Sequence, residues 1–240
     1  MTDAPAVSVV LPAKDEAVAL GTLLPAIAEV LSDTPHEIVV VDDGSSDDTA
    51  AVVRALAADL AQIRLLRHRH ACGQSAALRS GVEAARGALI VTLDADGQNP
   101  PENLPRLIAP FAAGDPTLGL VQGQRMKRQD TLAKRLASRA ANALRGRLLK
   151  DGVRDSGCGM KAFPRAVYLR LAYFDHIHRF MPAMVRREGY RIEVVDVTHA
   201  ERQGGASKYT NLGRALVGAV DLLGVVWLLN RRRLPQLRDD

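Results

Sequence analysis

The feature that most constrains this chain is a set of short apolar runs that end directly on acidic residues. Val7 to Leu11 stop at Pro12, Glu37 to Val41 run into Asp42-Asp43-Gly44, and Leu89 to Leu93 run into Asp94-Ala95-Asp96. Apolar runs of this length without alternation mark strands that are covered on both faces. Leu20, Leu23, Leu24, Ile27, Val30 and Leu31 lie between the first two runs at helical spacing. After Asp43, the cluster Ser45-Ser46-Asp47-Asp48 leads into a helix over Ala50 to Leu60, with Ser46 or Asp47 as the expected cap. A strand at Ile63 to Arg67, a helix from Gln74 to Ala85 and the run at Leu89 continue the alternation. The fold class expected is α/β: an open, mostly parallel sheet with helices on both faces. Such sheets bind ligands at the carboxyl ends of their strands. Asp42, Asp43, Asp94 and Asp96 all stand at those ends, so four carboxylates are expected along one edge.

The second half is less regular. Strands are expected near Leu118 to Gln122 and at Arg191 to Val197, with a basic helix from about Leu132 to Leu149 and a Gly-rich turn at Asp155 to Gly159. At 240 residues and 47% hydrophobic content, the chain can bury one substantial core. The organisation expected is a domain over 1–210 and an extension over 211–240. In that extension, Leu212 to Leu229 is an apolar stretch interrupted by Arg214 and Asp221 and followed by Arg231-Arg232-Arg233. Its two internal charges argue against a simple membrane span. An amphipathic helix lying in the membrane interface is preferred to one packed in the core.

The net charge of +5 favours anionic partners, phosphates and lipid headgroups among them. Aromatic residues make up only 4% and do not interleave with arginine, so no nucleic-acid partner is expected. Cys72 and Cys158 have no zinc-site spacing and read as unpaired thiols. No apolar leader opens the sequence, and the expected workplace is the cytoplasmic face of a membrane.

Asp94-Ala95-Asp96-Gly97-Gln98 sets two hard oxygen ligands on one side of an extended strand end. That arrangement suits Mg2+ or Mn2+ bridging phosphate oxygens, where the metal neutralises a departing nucleoside diphosphate. At the other strand end, the carboxylates of Asp42 and Asp43 suit a nucleobase edge or ribose hydroxyls. His68-Arg69-His70 offers no apparent third metal ligand, and His178 and His199 read as ordinary hydrogen-bonded histidines. No GxGxxG follows the first strand, which excludes a typical dinucleotide enzyme.

Three ordered blocks then carry a resemblance: Val9-Val10-Leu11-Pro12-Ala13-Lys14-Asp15-Glu16, Val39-Val40-Val41-Asp42-Asp43-Gly44-Ser45, and Leu93-Asp94-Ala95-Asp96-Gly97-Gln98-Asn99-Pro100-Pro101. Over roughly 7–210 the chain resembles family-2 glycosyltransferases, and most of all their dolichol- or polyprenyl-phosphate mannose and glucose synthase branch. The resemblance implies a GT-A fold, an inverting single displacement, a nucleotide-sugar donor and a polyprenyl-phosphate acceptor. It implies that Pro12 and Glu16 line the nucleotide pocket, that Asp42 holds the nucleoside, and that Asp94, Asp96 and Gln98 surround metal and diphosphate. Gly123-Gln124-Arg125, Ser138-Arg139 and Asp155-Ser156-Gly157 resemble acceptor and active-site segments. The segment from Arg202 to Tyr209 resembles a loop whose Arg202 and Lys208 reach donor phosphates. Ala13 and Lys14-Asp15 depart from the family's aromatic and Asn, which leaves nucleotide identity open.

A lipid monophosphate is already an anionic nucleophile at neutral pH, since its second ionisation lies near pH 6. It needs cations for positioning, and Arg125, Arg139, Arg202 and Lys208 are suitable. A saccharide hydroxyl would instead need a base, for which Asp155 is the candidate. A processive synthase is disfavoured because no Gln-x-x-Arg-Trp element is present. A non-catalytic nucleotide-sugar-binding scaffold on a membrane is the alternative outside the enzyme class.

Overall fold

The structure, a computed structural model, describes residues 5–125, 145–200 and 211–232. Seven strands form one sheet in the order β3-β2-β1-β4-β6-β5-β7. They are β1 (Val7–Ala13), β2 (His36–Asp42), β3 (Ile63–Arg67), β4 (Leu89–Thr92), β5 (Leu118–Arg125), β6 (Lys161–Pro164) and β7 (Arg191–Val197). The pairs β1 with β2, β1 with β4, β2 with β3, and β5 with β7 are parallel, whereas β6 runs antiparallel to both β4 and β5. The helices are α1 (Ala17–Val30), α2 (Thr49–Asp59), α3 (Gln74–Ala84), α4 (Leu104–Ile108), α5 (Arg165–Arg170), α6 (Ile177–Arg187) and α7 (Asn211–Asn230).

Alternate residues of each central strand feed two apolar layers, as the pleat requires. Val7, Val9 and Leu11 of β1, with Ile38 and Val40 of β2, meet Leu20, Leu24 and Ile27 of α1 and Val53 of α2. Val10, Val39 and Val41 face the opposite way, toward Ala77, Leu78 and Val82 of α3 and Phe180 and Met184 of α6. Gly81 allows α3 to lie close on β1: a Cβ there would stand 2.4 Å from Val10 Cγ1. That contact fixes the height of α3, and with it the position of Gln74 at its start.

The sequence expectations for six of the seven strands hold to within a few residues, and the doubly covered sheet is found. Strand β1 runs one residue past Pro12. It pairs with β4 only as far as Val10, so the missing N–H of Pro12 lies beyond that ladder. The strand β6 and the helices α4, α5 and α6 were not anticipated. Asp47 is the residue that meets α2's first N–H: its Oδ1 accepts from Thr49 N at 3.0 Å, while Oδ2 accepts from Ala17 N at 3.2 Å. One carboxylate thereby ties the starts of α1 and α2 together.

The C-terminal helix α7 packs on the domain by one face and leaves a second apolar face exposed. One face packs on the α6 layer, with Val225 buried and Leu222, Val226, Leu228 and Leu229 against it. Polar contacts support the docking: His176 Nδ1 lies 2.9 Å from Asp221 Oδ2, and Arg187 Nε donates to Leu228 O at 3.1 Å. The other face leaves Val220, Leu223 and Trp227 exposed at 65%, 69% and 58%. Their spacing of three and four residues makes a continuous apolar stripe, which Arg231 extends by stacking over the Trp227 ring at 5.6 Å. Among the described residues, no helix is long and apolar enough to cross a membrane.

Candidate active site

The acidic residues do line the carboxyl edge of the parallel strands, but in two sets with different partners. Asp42 is fully buried at the end of β2: Oδ1 accepts from Ser45 N at 2.8 Å and Oδ2 from Arg67 Nε at 3.0 Å. Burial pushes its ionisation upward, yet the hydrogen bonds from Ser45 and the Arg67 guanidinium outweigh this and hold it below the ordinary carboxylate value. Asp43 accepts from Cys72 N, Gly73 N and His68 Nδ1 at 2.7 to 2.8 Å. It thereby fixes the loop that opens α3. Asp43, His68 and Cys72 bring one potential metal-ligand atom each within 4.8 Å of one another. Asp43 takes three donors, Oδ1 from both His68 and Cys72 and Oδ2 from Gly73, and His68 Nε2 lies 2.9 Å from Ser80 Oγ, so the group ties the ends of β2 and β3 to the start of α3.

The nucleotide-side loops are joined in the same manner. Lys14 Nζ donates to Gly44 O at 3.1 Å, Asp15 N to Ser45 Oγ at 2.9 Å, and Asp15 Oδ1 accepts from Ser46 N at 2.8 Å. Asp15 takes a φ of 57° to do so, a backbone conformation that Asp tolerates better than most side chains. Glu16 caps α1 by position, and its N–H donates to Thr49 Oγ1 at 2.9 Å. Pro12 is partly buried beside this junction.

Asp94 and Asp96 form the second set. Gln74 Nε2 donates to Asp94 Oδ1 at 2.9 Å and Asn99 Nδ2 to Asp94 Oδ2 at 3.3 Å. Burial, then the neighbouring charge of Asp96, push the ionisation of Asp94 upward, opposed by Lys161, Asn99 and Arg125. Asp96 Oδ1 accepts from Gln98 N at 3.2 Å, and Gln98 O accepts from Ala200 N at 2.9 Å, which draws the chain after β7 over the site. His199 enters by this route. Burial and then Arg125 depress its ionisation, while Asp96, Asp155 and Asp94 favour the charged form.

Opposite stands the end of β5. Arg125 grips Asp155 with a bidentate fork, Nε to Oδ2 and Nη2 to Oδ1, both at 2.7 Å. The two residues proposed separately from sequence, as phosphate cation and as base, are thus each other's partners. The turn from Asp155 to Gly159 abuts Asp94 directly: a Cβ at Gly159 would stand 2.2 Å from Asp94 Oδ2. Ser138, Arg139, Arg202 and Lys208, and most of the basic helix expected from Leu132, lie outside the described residues.

Several contributors were not anticipated. Asn99 and Gln74 orient Asp94, and Lys161 and Gln122 are buried beneath the Asp155 turn. Asn99 belongs to the Asp94–Pro101 block and was legible as part of it. Lys161 gave no signal, because it sits in a four-residue strand without an apolar run.

The set fits a divalent cation. The charge of Asp96 opposes the ionisation of Asp94, in space that Gly159 keeps clear, and a dication with hard oxygen preference would relieve it. Asp94 and Asp96 are the residues that would hold it.

Comparisons with known proteins bear on the family and the fold. The dodecaprenyl-phosphate galacturonate synthase of Rhizobium johnstonii is 32% identical over 234 residues, covering 95% of this chain and 68% of that protein. The undecaprenyl-phosphate 4-deoxy-4-formamido-L-arabinose transferase of Pectobacterium carotovorum is 36% identical over 210 residues, covering 86% and 63%. The chain therefore spans about two thirds of the length of these curated relatives. Among solved structures, glucosyl-3-phosphoglycerate synthase from Mycobacterium tuberculosis, in complex with Mn2+, UDP-glucose and phosphoglyceric acid, aligns with a TM-score of 0.70 at 20% identity. That alignment covers 94% of this chain and 79% of the other, and it establishes the shared fold. The model of glycosyl transferase family 2 matches residues 8–172, and on that match together with the relatives' identity the chain belongs to this family.

Proposed function

We propose that the chain transfers a sugar from a nucleotide-sugar donor to a polyprenyl phosphate at a membrane surface. The observation that carries the choice of acceptor is the Arg125–Asp155 fork. Both oxygens of Asp155 are engaged by the guanidinium, which leaves it poorly placed to take a proton from a sugar hydroxyl. A phosphate monoester is already ionised and needs only to be positioned. The relatives named for dodecaprenyl and undecaprenyl phosphate favour the same acceptor.

On this reading, the donor nucleoside lies at the Pro12, Glu16 and Asp42–Asp43 junction and its diphosphate at Asp94, Asp96 and Gln98. Bound to Asp94 and Asp96, Mg2+ or Mn2+ supplies charge neutralisation for the departing diphosphate. The acceptor phosphate oxygen forms a bond to the anomeric carbon as the bond to the nucleoside diphosphate breaks, and the electron pair leaves with the diphosphate. Arg139, Arg202 and Lys208 draw the two anions together, and Arg125, which Asp155 holds by two of its nitrogens, adds its remaining N–H groups. The exposed stripe of α7 lies in the interface of the membrane's cytoplasmic leaflet, and each nearby basic residue adds about 1 kcal/mol on anionic lipid.

The test is turnover. Purified protein with Mn2+ or Mg2+, a panel of UDP- and GDP-sugars and a short polyprenyl phosphate should yield glycolipid and nucleoside diphosphate. Product formed only on a saccharide hydroxyl would overturn the acceptor assignment. Nucleotide-sugar binding without any product would favour the scaffold reading.

A further inference from the structure

Three side chains on three adjacent strands converge on the turn that carries Asp155. Lys161 of β6 pairs in register with Thr92 of β4 on one side and Gln122 of β5 on the other. Directly opposed residues share a sheet face, so the three form a row. Each donates to a backbone carbonyl of that turn: Thr92 Oγ1 to Gly159 O at 2.6 Å, Gln122 Nε2 to Asp155 O and Cys158 O at 3.4 Å, and Lys161 Nζ to Cys158 O. Gln122 makes its shorter bond to Gly123 O, at 2.9 Å, so Lys161 is the main donor to Cys158 O; a neutral donor such as that of Thr92 would serve a carbonyl equally, and hydrogen bonding alone does not call for a charge.

The lysine is 3% exposed, and among the described residues no carboxylate lies within 4.0 Å of its ammonium. Burying an ammonium without an ion pair is costly. Burial pushes its ionisation down, Cys158, Asp94 and Asp155 favour its charged form and Arg125 opposes it, and for Asp94 it is the foremost favourable charge, ahead of Arg125. The turn that it braces at Cys158 O abuts Asp94 through Gly159, so the ammonium stands behind the strand end that carries the acidic pair.

We propose that Lys161 is a built-in cation of the diphosphate cradle, a positioning residue that attracts the nucleoside diphosphate through the low-dielectric floor of the site without touching it. The proposal rests on the reading of Asp94 and Asp96 as the diphosphate site. It adds that the cradle keeps part of its affinity for nucleoside diphosphate when no metal is present. A unit charge acting across several ångströms of protein changes anion affinity about tenfold.

The experiment is titration calorimetry of UDP and GDP into the whole chain, in EDTA and in Mn2+, together with Mn2+ alone. Wild type should bind one of the nucleotides under both conditions. K161M, which keeps length and volume but gives up the hydrogen bond to Cys158 O, should still melt in one cooperative transition and lose about tenfold in nucleotide affinity in EDTA. K161R should bind like wild type. Mn2+ alone should bind K161M at least as well as wild type, since a cation has been removed from its neighbourhood. A purely structural lysine would show the reverse, with K161M weakened for Mn2+ and nucleotide alike, and that result overturns the proposal. So does unchanged nucleotide binding by K161M in EDTA, or wild-type binding that vanishes in EDTA. If K161M does not fold, K161Q serves as the neutral variant under the same criteria. Failure of wild type to bind either nucleotide even with Mn2+ would instead overturn the diphosphate reading of the cradle, and the proposal with it.

Discussion

Replacing Gly159 by alanine should disable the site through one atom. The alanine Cβ would stand 2.2 Å from Asp94 Oδ2, 2.4 Å from Cγ and 2.5 Å from Oδ1, against a comfortable separation of about 3.5 Å. Gly159 does not use a left-handed backbone, so alanine meets no conformational penalty of its own and the whole effect falls on the carboxylate. The turn cannot retreat easily, because Gly159 O accepts from Thr92 and Cys158 O from Lys161. Asp94 must therefore move by about 1 Å, away from the donors Gln74 and Asn99. Overpacking of this kind costs about 1–3 kcal/mol of stability, and a misplacement of about 1 Å in a positioned group costs about a hundredfold in rate. Calorimetry should show Mn2+ affinity weakened at least tenfold, with kcat/KM down by about a hundredfold. In an Asp94→Ala background, the stability cost of Gly159→Ala should largely disappear, because the clashing group is gone. Wild-type Mn2+ affinity in Gly159→Ala, or an undiminished stability cost in the double variant, would refute the reasoning.

Asp155→Asn should lower turnover by leaving Arg125 without its anchor, while the acid limb of the pH–rate profile stays; loss of that limb would mark Asp155 as a base. Asp42 ionises below its unfolded value, so its stabilising effect is complete above about pH 4 and fades as pH falls through the folded value. The gap in melting temperature between wild type and Asp42→Asn should accordingly narrow from pH 7 toward pH 3. Burial, then the charges of Lys161, Arg179 and His176, push His178 down to about 3, whereas unfolded histidine titrates near 6.5. The unfolded chain thus takes up a proton that the fold refuses, so denaturant melts should lose stability as pH drops below about 6.5, and His178→Gln should remove one proton's worth of that slope. Leu223→Asp and Trp227→Glu should leave stability within about 0.5 kcal/mol and abolish sedimentation with anionic vesicles, whereas Val225→Asp on the packed face should destabilise the chain. Unchanged vesicle binding in the first two variants would remove the membrane assignment of that stripe.

What could be read in the sequence follows from what each element must bury. Strands β1, β2 and β4 are covered on both faces, so they appear as unbroken apolar runs, and an acidic residue after such a run has to stand at the sheet's ligand-binding edge. Asp94 and Asp96 were legible for that reason. Strand β6 is only four residues long and starts with a lysine, and α6 carries Pro182 within its apolar pattern, which reads locally as a break. Both are held in place by neighbours distant in sequence. The same distance hides the chemistry of the second half. Arg125 and Asp155 are 30 residues apart, and each alone suggests its own role, a cation for phosphate or a base for a hydroxyl. Only the antiparallel insertion of β6 between β4 and β5 brings the Asp155 turn back against the end of β5. Once they meet, the carboxylate is engaged by the cation and the case for a base weakens. On the proposed reading, the choice between phosphate and hydroxyl acceptor rests on strand order rather than on residue type, which is why the motifs point to a donor side more firmly than to an acceptor side.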